Sequence, residues 1–166
     1  VPGKVKGRAF KKGHIVQSED ITKLLKLGKE HLYVWEVNEN DLHENEAATR
    51  IAKAVVGSGL KITEPSEGKV EIRALRDGLL KINTTALEDI NDINEIILAS
   101  IHSGQMVKAD QIVASCRVVP LVVNADKIGA VEQIGRSGFP VIEIKPLQSL
   151  QVGVVTTGSE VYHGRI

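Results

Sequence analysis

Residues 151–166 read Gln151-Val152-Gly153-Val154-Val155-Thr156-Thr157-Gly158-Ser159-Glu160-Val161-Tyr162-His163-Gly164-Arg165-Ile166, and this stretch decides how the whole chain is read. The β-branched run Val152-Gly153-Val154-Val155 suits a buried parallel strand. The Thr156-Thr157-Gly158-Ser159 turn at its carboxyl end can aim backbone N–H groups and hydroxyls at an anion, as the first strand of a phosphate-binding α/β unit does. A parallel strand reaches its neighbour only through a crossover of a dozen or more residues. Six residues follow Glu160, so the expectation is an incomplete α/β domain whose site draws on residues outside this chain.

Upstream, Phe139 to Ile144 reads as a strand, preceded by a helix capped by Asn124 or Asp126 that carries Ile128, Val131 and Ile134. Ile112 to Val119 is a long apolar strand-like run that continues to Pro120-Leu121-Val122-Val123. Isoleucines at 90, 93, 97 and 101 fit a helix face, whereas Glu95 to Ile101 also reads as a strand; a short helical turn followed by a strand is expected. Lys69-Val70-Glu71-Ile72-Arg73-Ala74-Leu75 alternates with period two, as a half-exposed strand does. Asp77-Gly78 joins it to Leu79-Leu80-Lys81-Ile82 in the pattern of a β-hairpin. A helix beginning at Asp41 or Glu44 lines up Ala47, Ile51, Ala54 and Val55 and closes at Gly57-Ser58-Gly59.

The first third predicts a strand, tight turn and return over Gly7 to Val16. A helix capped by Ser18 follows, with Glu19 and Asp20 in its first turn and Ile21, Leu24 and Leu25 along one face. Gly28 ends it, and Glu30 to Val37 has the aromatic and β-branched content of a strand. The fold class expected is α+β. A small β-α-β module over 1–62 and a hairpin-built, β-rich module over 63–123 precede a helix and strands over 124–166 that prepare a parallel sheet. These lead into the first strand of the incomplete α/β domain.

The chain has 166 residues, enough to bury a core, with 42% hydrophobic and 25% charged residues. Its 21 basic and 21 acidic residues cancel, which argues against nucleic acid as a partner, since phosphate-dominated binding shows a clustered cationic excess. The local excess at Lys4, Lys6, Arg8, Lys11 and Lys12 reads as a solvated strand. No apolar run approaches the length of a membrane span, and the opening residues lack a signal-peptide pattern. Both ends read as cut points in a longer chain. The single cysteine, Cys116, cannot form an internal disulfide, so a reducing cytoplasm is the expected compartment, with Cys116 a buried, inert thiol.

With these residues in view, the chain resembles the molybdopterin-binding proteins related to the molybdopterin molybdenumtransferase family of molybdenum cofactor biosynthesis, in their amino-terminal portion. Val154-Val155-Thr156-Thr157-Gly158-Ser159-Glu160-Val161, with Gly164-Arg165-Ile166, is similar to that family's strand, threonine-glycine-aspartate-glutamate turn and later glycine. Lys6-Gly7-Arg8-Ala9-Phe10-Lys11-Lys12-Gly13-His14 and Leu42-His43-Glu44-Asn45-Glu46-Ala47-Ala48 resemble the amino-terminal part of one subgroup. Gly7 to Trp35 also looks like the small antifreeze-related module of sialic-acid synthases and sugar-acid dehydratases. The resemblance implies molybdopterin and magnesium as ligands of the full-length protein, molybdate as a co-substrate, and a homodimer whose site borrows from the partner's amino-terminal part. This portion alone is expected to bind no cofactor.

Residue by residue, the resemblance makes Glu160 the catalytic and metal-binding carboxylate and Thr156, Thr157, Gly158, Ser159 and Gly164 the cofactor-binding residues. Ser159 stands where the family pattern carries an aspartate. One fewer carboxylate weakens a hard-cation site, so reduced molybdate insertion is implied. The structural alternatives are a helix-start carboxylate at Glu160 and local hydroxyl caps at Thr156, Thr157 and Ser159. His14, His31, His43, His102 and His163 show no metal-ligand spacing. The hairpin resembles a lipoyl-type arm weakly, because Asp77-Gly78 and not Lys81 holds its turn. The competing function is a non-catalytic interaction module that presents a β-rich surface to a protein or carbohydrate.

Overall fold

The computed structural model describes residues 10, 14, 16–31, 38–155 and 157–165. The chain divides into two units, Val1–Val37 and Asn38–Ile166. In the first unit, helix α1 (Ser18–Lys26) ends at Leu27 and Gly28, whose φ of 73° needs a glycine. Its cap is Gln17, not Ser18. The Gln17 N–H donates to Asp20 Oδ2 at 3.0 Å, and the same oxygen lies 2.7 Å from His14 Nε2. That contact holds the Asp20 carboxyl below its ordinary range. Of the expected apolar face only Leu24 is buried; Ile21 and Leu25 are exposed. The strands expected over Gly7–Val16 and Glu30–Val37, and the basic cluster from Lys4 to Lys12, lie outside the described residues or rest mostly on residues that do.

The second unit contains, in order, β1 (Asp41–His43), α2 (Glu44–Val55), β2 (Leu60–Ile62), β3 (Lys69–Ala74), β4 (Gly78–Ile82), α3 (Thr84–Asn91), β5 (Ile96–Ser100), β6 (Met106–Val107), β7 (Ile112–Val118), β8 (Val122–Asn124), α4 (Ala125–Ser137), β9 (Ile142–Lys145) and a short turn of helix, α5 (Ser159–Tyr162). Its sheets run in the orders β2-β3-β7-β5, β6-β4-β9 and β1-β8. The mixed α and β composition agrees with the α+β expectation.

The period-two pattern of β3 is realised: Val70, Ile72 and Ala74 are buried while Lys69, Glu71 and Arg73 face outward. Helix α2 covers the inner face with Ala47, Ala48, Ile51, Ala52 and Val55, all without exposed surface. Small residues are required there, because the sheet side chain Cys116 reaches the helix backbone and its Sγ lies 3.3 Å from the Ala48 carbonyl oxygen. On its other flank α2 meets α4, where a Cβ added at Gly135 would lie 2.5 Å from the Ala54 carbonyl oxygen. The cap of α4 is Asn124, whose Oδ1 accepts the Asp126 N–H at 2.8 Å.

Three expectations are corrected. First, β3 and β4 do not form a hairpin. β3 pairs with β2 and β7, and β4 with β6 and β9. Asp77-Gly78 has turn composition for other reasons. Asp77 accepts the Ala109 N–H at 2.8 Å and Lys108 Nζ at 2.9 Å, tying the crossing chain to the loop after β6. Gly78 lets β4 lie against β9, since a Cβ there would be 2.4 Å from the Lys145 carbonyl oxygen. Second, the named ladders are antiparallel, and among the described residues the parallel contact is the isolated bridge Val56↔Ile142. Helix α4 joins β8 and β9, which belong to different sheets, so it is not a crossover within one sheet. Third, Val152–Val155 is not a strand: Val152, Val154 and Val155 are 80%, 80% and 89% exposed. The described residues offer this segment no ladder partner, and an unpaired backbone stays in water.

One buried cluster runs from Ala47 to Ile144 and joins both larger sheets with α2, α3 and α4. The edge of β5 is closed by a side chain. Asn91 Oδ1 accepts the Leu98 N–H at 2.8 Å, and its Nδ2 donates to the Leu98 and Leu87 carbonyls, each at 2.9 Å. That satisfies a strand edge that would otherwise be open to pairing.

Two glycines test this packing. Gly78→Ala is expected to destabilise the unit by about 2–4 kcal/mol in urea unfolding, as overpacking against backbone does. Gly129→Ala, inside α4 with nothing within 4 Å of its added Cβ, is expected to stabilise by about 0.5–1 kcal/mol. Equal effects at the two positions would contradict the close β4–β9 approach.

Candidate functional site

The segment that carries the predicted site leaves the sheet at Pro146, directly after β9. Its Leu147, Leu150, Val152, Val154 and Val155 are exposed. At Gly158 the backbone takes φ 129°, a conformation closed to side-chain-bearing residues, and turns into α5. The helical turn is closed by bonds from Tyr162 N–H to the Gly158 carbonyl at 3.1 Å and from Arg165 N–H to the Glu160 carbonyl at 2.8 Å. Gly164, at φ 62°, ends it.

Thr157, Gly158, Ser159, Glu160 and Gly164 are all exposed, and Thr156 lies outside the described residues. Glu160 folds back over the glycine, its Oε2 2.9 Å from where a Gly158 Cβ would stand. The turn therefore brings Ser159 and Glu160 next to the glycine, with their side chains in water. Among the described residues, no group of three or more His, Cys, Asp or Glu side chains is placed to hold a metal ion, and no helix is long and apolar enough to cross a membrane. The turn supplies one carboxylate, Glu160, and a magnesium ion takes one or two carboxylates with the rest of its shell from phosphates and water.

Other residues singled out earlier have local roles. His43 caps α2, its Nδ1 accepting the Asn45 N–H at 3.2 Å. Burial pushes the Cys116 thiol up to about 12, which keeps it protonated and unreactive. Glu44, 3% exposed, packs beneath the loop at Gly68, whose own N–H donates to Asn45 Oδ1 at 2.9 Å.

A second feature was not foreseen. Between α2 and α4 lies a concavity of about 480 Å³ lined by Arg50, Lys53, Ala54, Glu132, Gly135, Arg136 and Phe139. Arg50 Nε donates to Glu132 Oε1 at 2.8 Å. That bond holds the Glu132 carboxyl below its ordinary range and raises the Arg50 guanidinium. The helical spacings Arg50/Lys53 and Glu132/Arg136 were visible in the sequence, but nothing local says that the two helices face each other.

A domain of unknown function, DUF8806, matches residues 1–36, close to the extent of the first unit and leaving the second unmatched. Neither a curated protein nor a solved structure matches the chain.

Because the Glu132 carboxyl is lowered in the folded state, its contribution to stability is present above the unfolded carboxylate pKa and is lost as pH falls through the folded one. Glu132→Gln is therefore expected to lower stability at neutral pH and to flatten the acid limb of a stability–pH profile measured by urea unfolding. An acid limb identical to that of the parent chain would show that the pair contributes nothing.

Proposed function

We propose that the chain is the amino-terminal portion of a molybdopterin-binding protein of molybdenum cofactor biosynthesis, with the turn at residues 157–160 contributing to the pterin and magnesium site of the complete protein. The observation that carries the reading is the backbone at Gly158. The chain turns there at a glycine of positive φ into a helical turn, leaving Thr157, Ser159 and Glu160 exposed. A glycine turn followed directly by a helix start supports the resemblance carried by Val154 to Val161.

In this reading Glu160 binds magnesium together with phosphate oxygens of the pterin, and Thr156, Thr157 and Ser159 donate hydroxyl hydrogen bonds to the same group. A divalent cation there offsets the negative charge of phosphate and molybdate. Ser159 supplies no anionic oxygen, which limits molybdate insertion relative to a site with an aspartate. The pocket is completed by neighbouring strand-to-helix loops, as at the ends of parallel sheets generally. The exposed valines at 152, 154 and 155 support a surface that is covered in the complete protein, and a second copy is the expected partner. The compartment is a reducing cytoplasm.

Calorimetry with molybdopterin tests the reading. In the full-length protein Glu160→Gln is expected to weaken binding about tenfold without unfolding, the loss of one charged ligand contact, and Ser159→Asp to strengthen magnesium-dependent molybdate insertion. The 166-residue chain alone is expected to bind more weakly than about 1 μM, while sedimentation of the same sample detects self-association. Unchanged pterin affinity in Glu160→Gln would reduce Glu160 to a helix-start carboxylate and favour the interaction-module alternative.

A further inference from the structure

The solvent-facing stripe of α2 places Arg50 and Lys53 on the lining of two concavities. One, on the side of β2 and its following loop, is lined by Asn45, Glu46, Thr49, Arg50, Lys53, Ile62, Thr63, Glu64 and Pro65. There two carboxylates balance the two cations. On the α4 side the lining holds three cations, Arg50, Lys53 and Arg136, and one carboxylate, Glu132. Glu132 acts on both Arg50 and Arg136, and Glu46 acts on Arg50. Arg50 has its Nε on Glu132, and its terminal nitrogens make no hydrogen bond among the described residues; Lys53 and Arg136 make neither a hydrogen bond nor an ion pair there.

Like charges gathered around one concavity repel, and an anion seated among them removes that repulsion while gaining charge-assisted hydrogen bonds. The floor is fixed: Gly135 lies against the Ala54 backbone, so the two helices cannot close further over the space. Phe139 is 61% exposed and lines the same concavity as the cationic groups. At about 480 Å³ the volume falls in the range of small-molecule sites.

We propose that the concavity between α2 and α4 is a binding site for a small phosphorylated compound, the phosphoryl group held by Arg50, Lys53 and Arg136 and an aromatic or other flat body resting on Phe139. Three cations around one concavity suit a phosphomonoester dianion, and a planar guanidinium fork can meet two of its oxygens at once. Glu132 positions Arg50 for this task. The site is formed by α2, α4 and the segment after α4, apart from the turn at residues 157–160, and does not depend on the molybdopterin reading.

Amide chemical shifts of the 166-residue chain, followed during titration with inorganic phosphate and with phenyl phosphate at constant ionic strength, test it. Saturable shifts are expected at Lys53, Ala54, Gly135 and Arg136, with a dissociation constant of about 1 mM for phosphate and roughly tenfold tighter binding for phenyl phosphate. The Lys53→Gln/Arg136→Gln double variant should lose saturation, Lys53→Arg should keep it, and Phe139→Ala should remove only the advantage of the phenyl group. The proposal is overturned by shifts that never saturate, by equal shifts with chloride, or by a double variant that still binds. It is equally overturned if an acidic peptide moves these amides and phosphate does not, which would make the face a protein-docking surface.

Discussion

Everything in the second unit depends on how closely helix α2 is gripped. Its buried face is Ala47, Ala48, Ile51, Ala52 and Val55, with no exposed surface at any of them. On one side the Cys116 sulfur touches the Ala48 carbonyl, and on the other the Gly135 backbone abuts Ala54. A larger residue at 48, 52 or 135 has nowhere to go, because interiors at this density yield only by moving backbone. The four-stranded sheet, α4 and, through β9, the three-stranded sheet therefore share one core, and Ala47 to Ile144 form one packed body.

That grip has consequences for the surface. With its apolar face committed on two sides, α2 turns Glu46, Arg50 and Lys53 outward, and α4 turns Glu132 and Arg136 toward the same space. The Arg50–Glu132 bond is both a clasp between the helices and the reason the Arg50 guanidinium is held in place. Past β9 the packing stops at Pro146, and the apolar residues that follow find nothing to cover them. The segment with the most functional character in the sequence is thus the one on which the described core has least hold.

Local pattern was legible where local forces decide. Lys69 to Ala74 alternate because one face of β3 meets α2; the stripe on α2, the Asn124 cap and the α3–β5 order follow from residues a few positions apart. The hairpin was misread because Asp77-Gly78 has the same composition whether the glycine makes a turn or admits a neighbouring strand, and only the position of Lys145 distinguishes the two. The Glu44 burial and the Asn91 plug on β5 were invisible for a similar reason: a charged or amide residue looks like surface until its partners are placed. At the terminal turn, Thr157, Gly158, Ser159 and Glu160 stood out as a contiguous motif, with Gly164 four residues on. The concavity at Arg50 and Arg136 did not, because Arg50 and Glu132 are 82 residues apart in the chain.

That one core gripped by α2 is followed by a segment it does not anchor is tested most directly by native-state hydrogen exchange. The amides of α2, β3, β7, β4, β9 and α4 should share one opening free energy equal to that of global unfolding, while residues 147–155 exchange without protection. Separate, lower opening energies for α4 and β9 than for β3 and β7, or strong protection at Val152–Val155 in this chain, would contradict it.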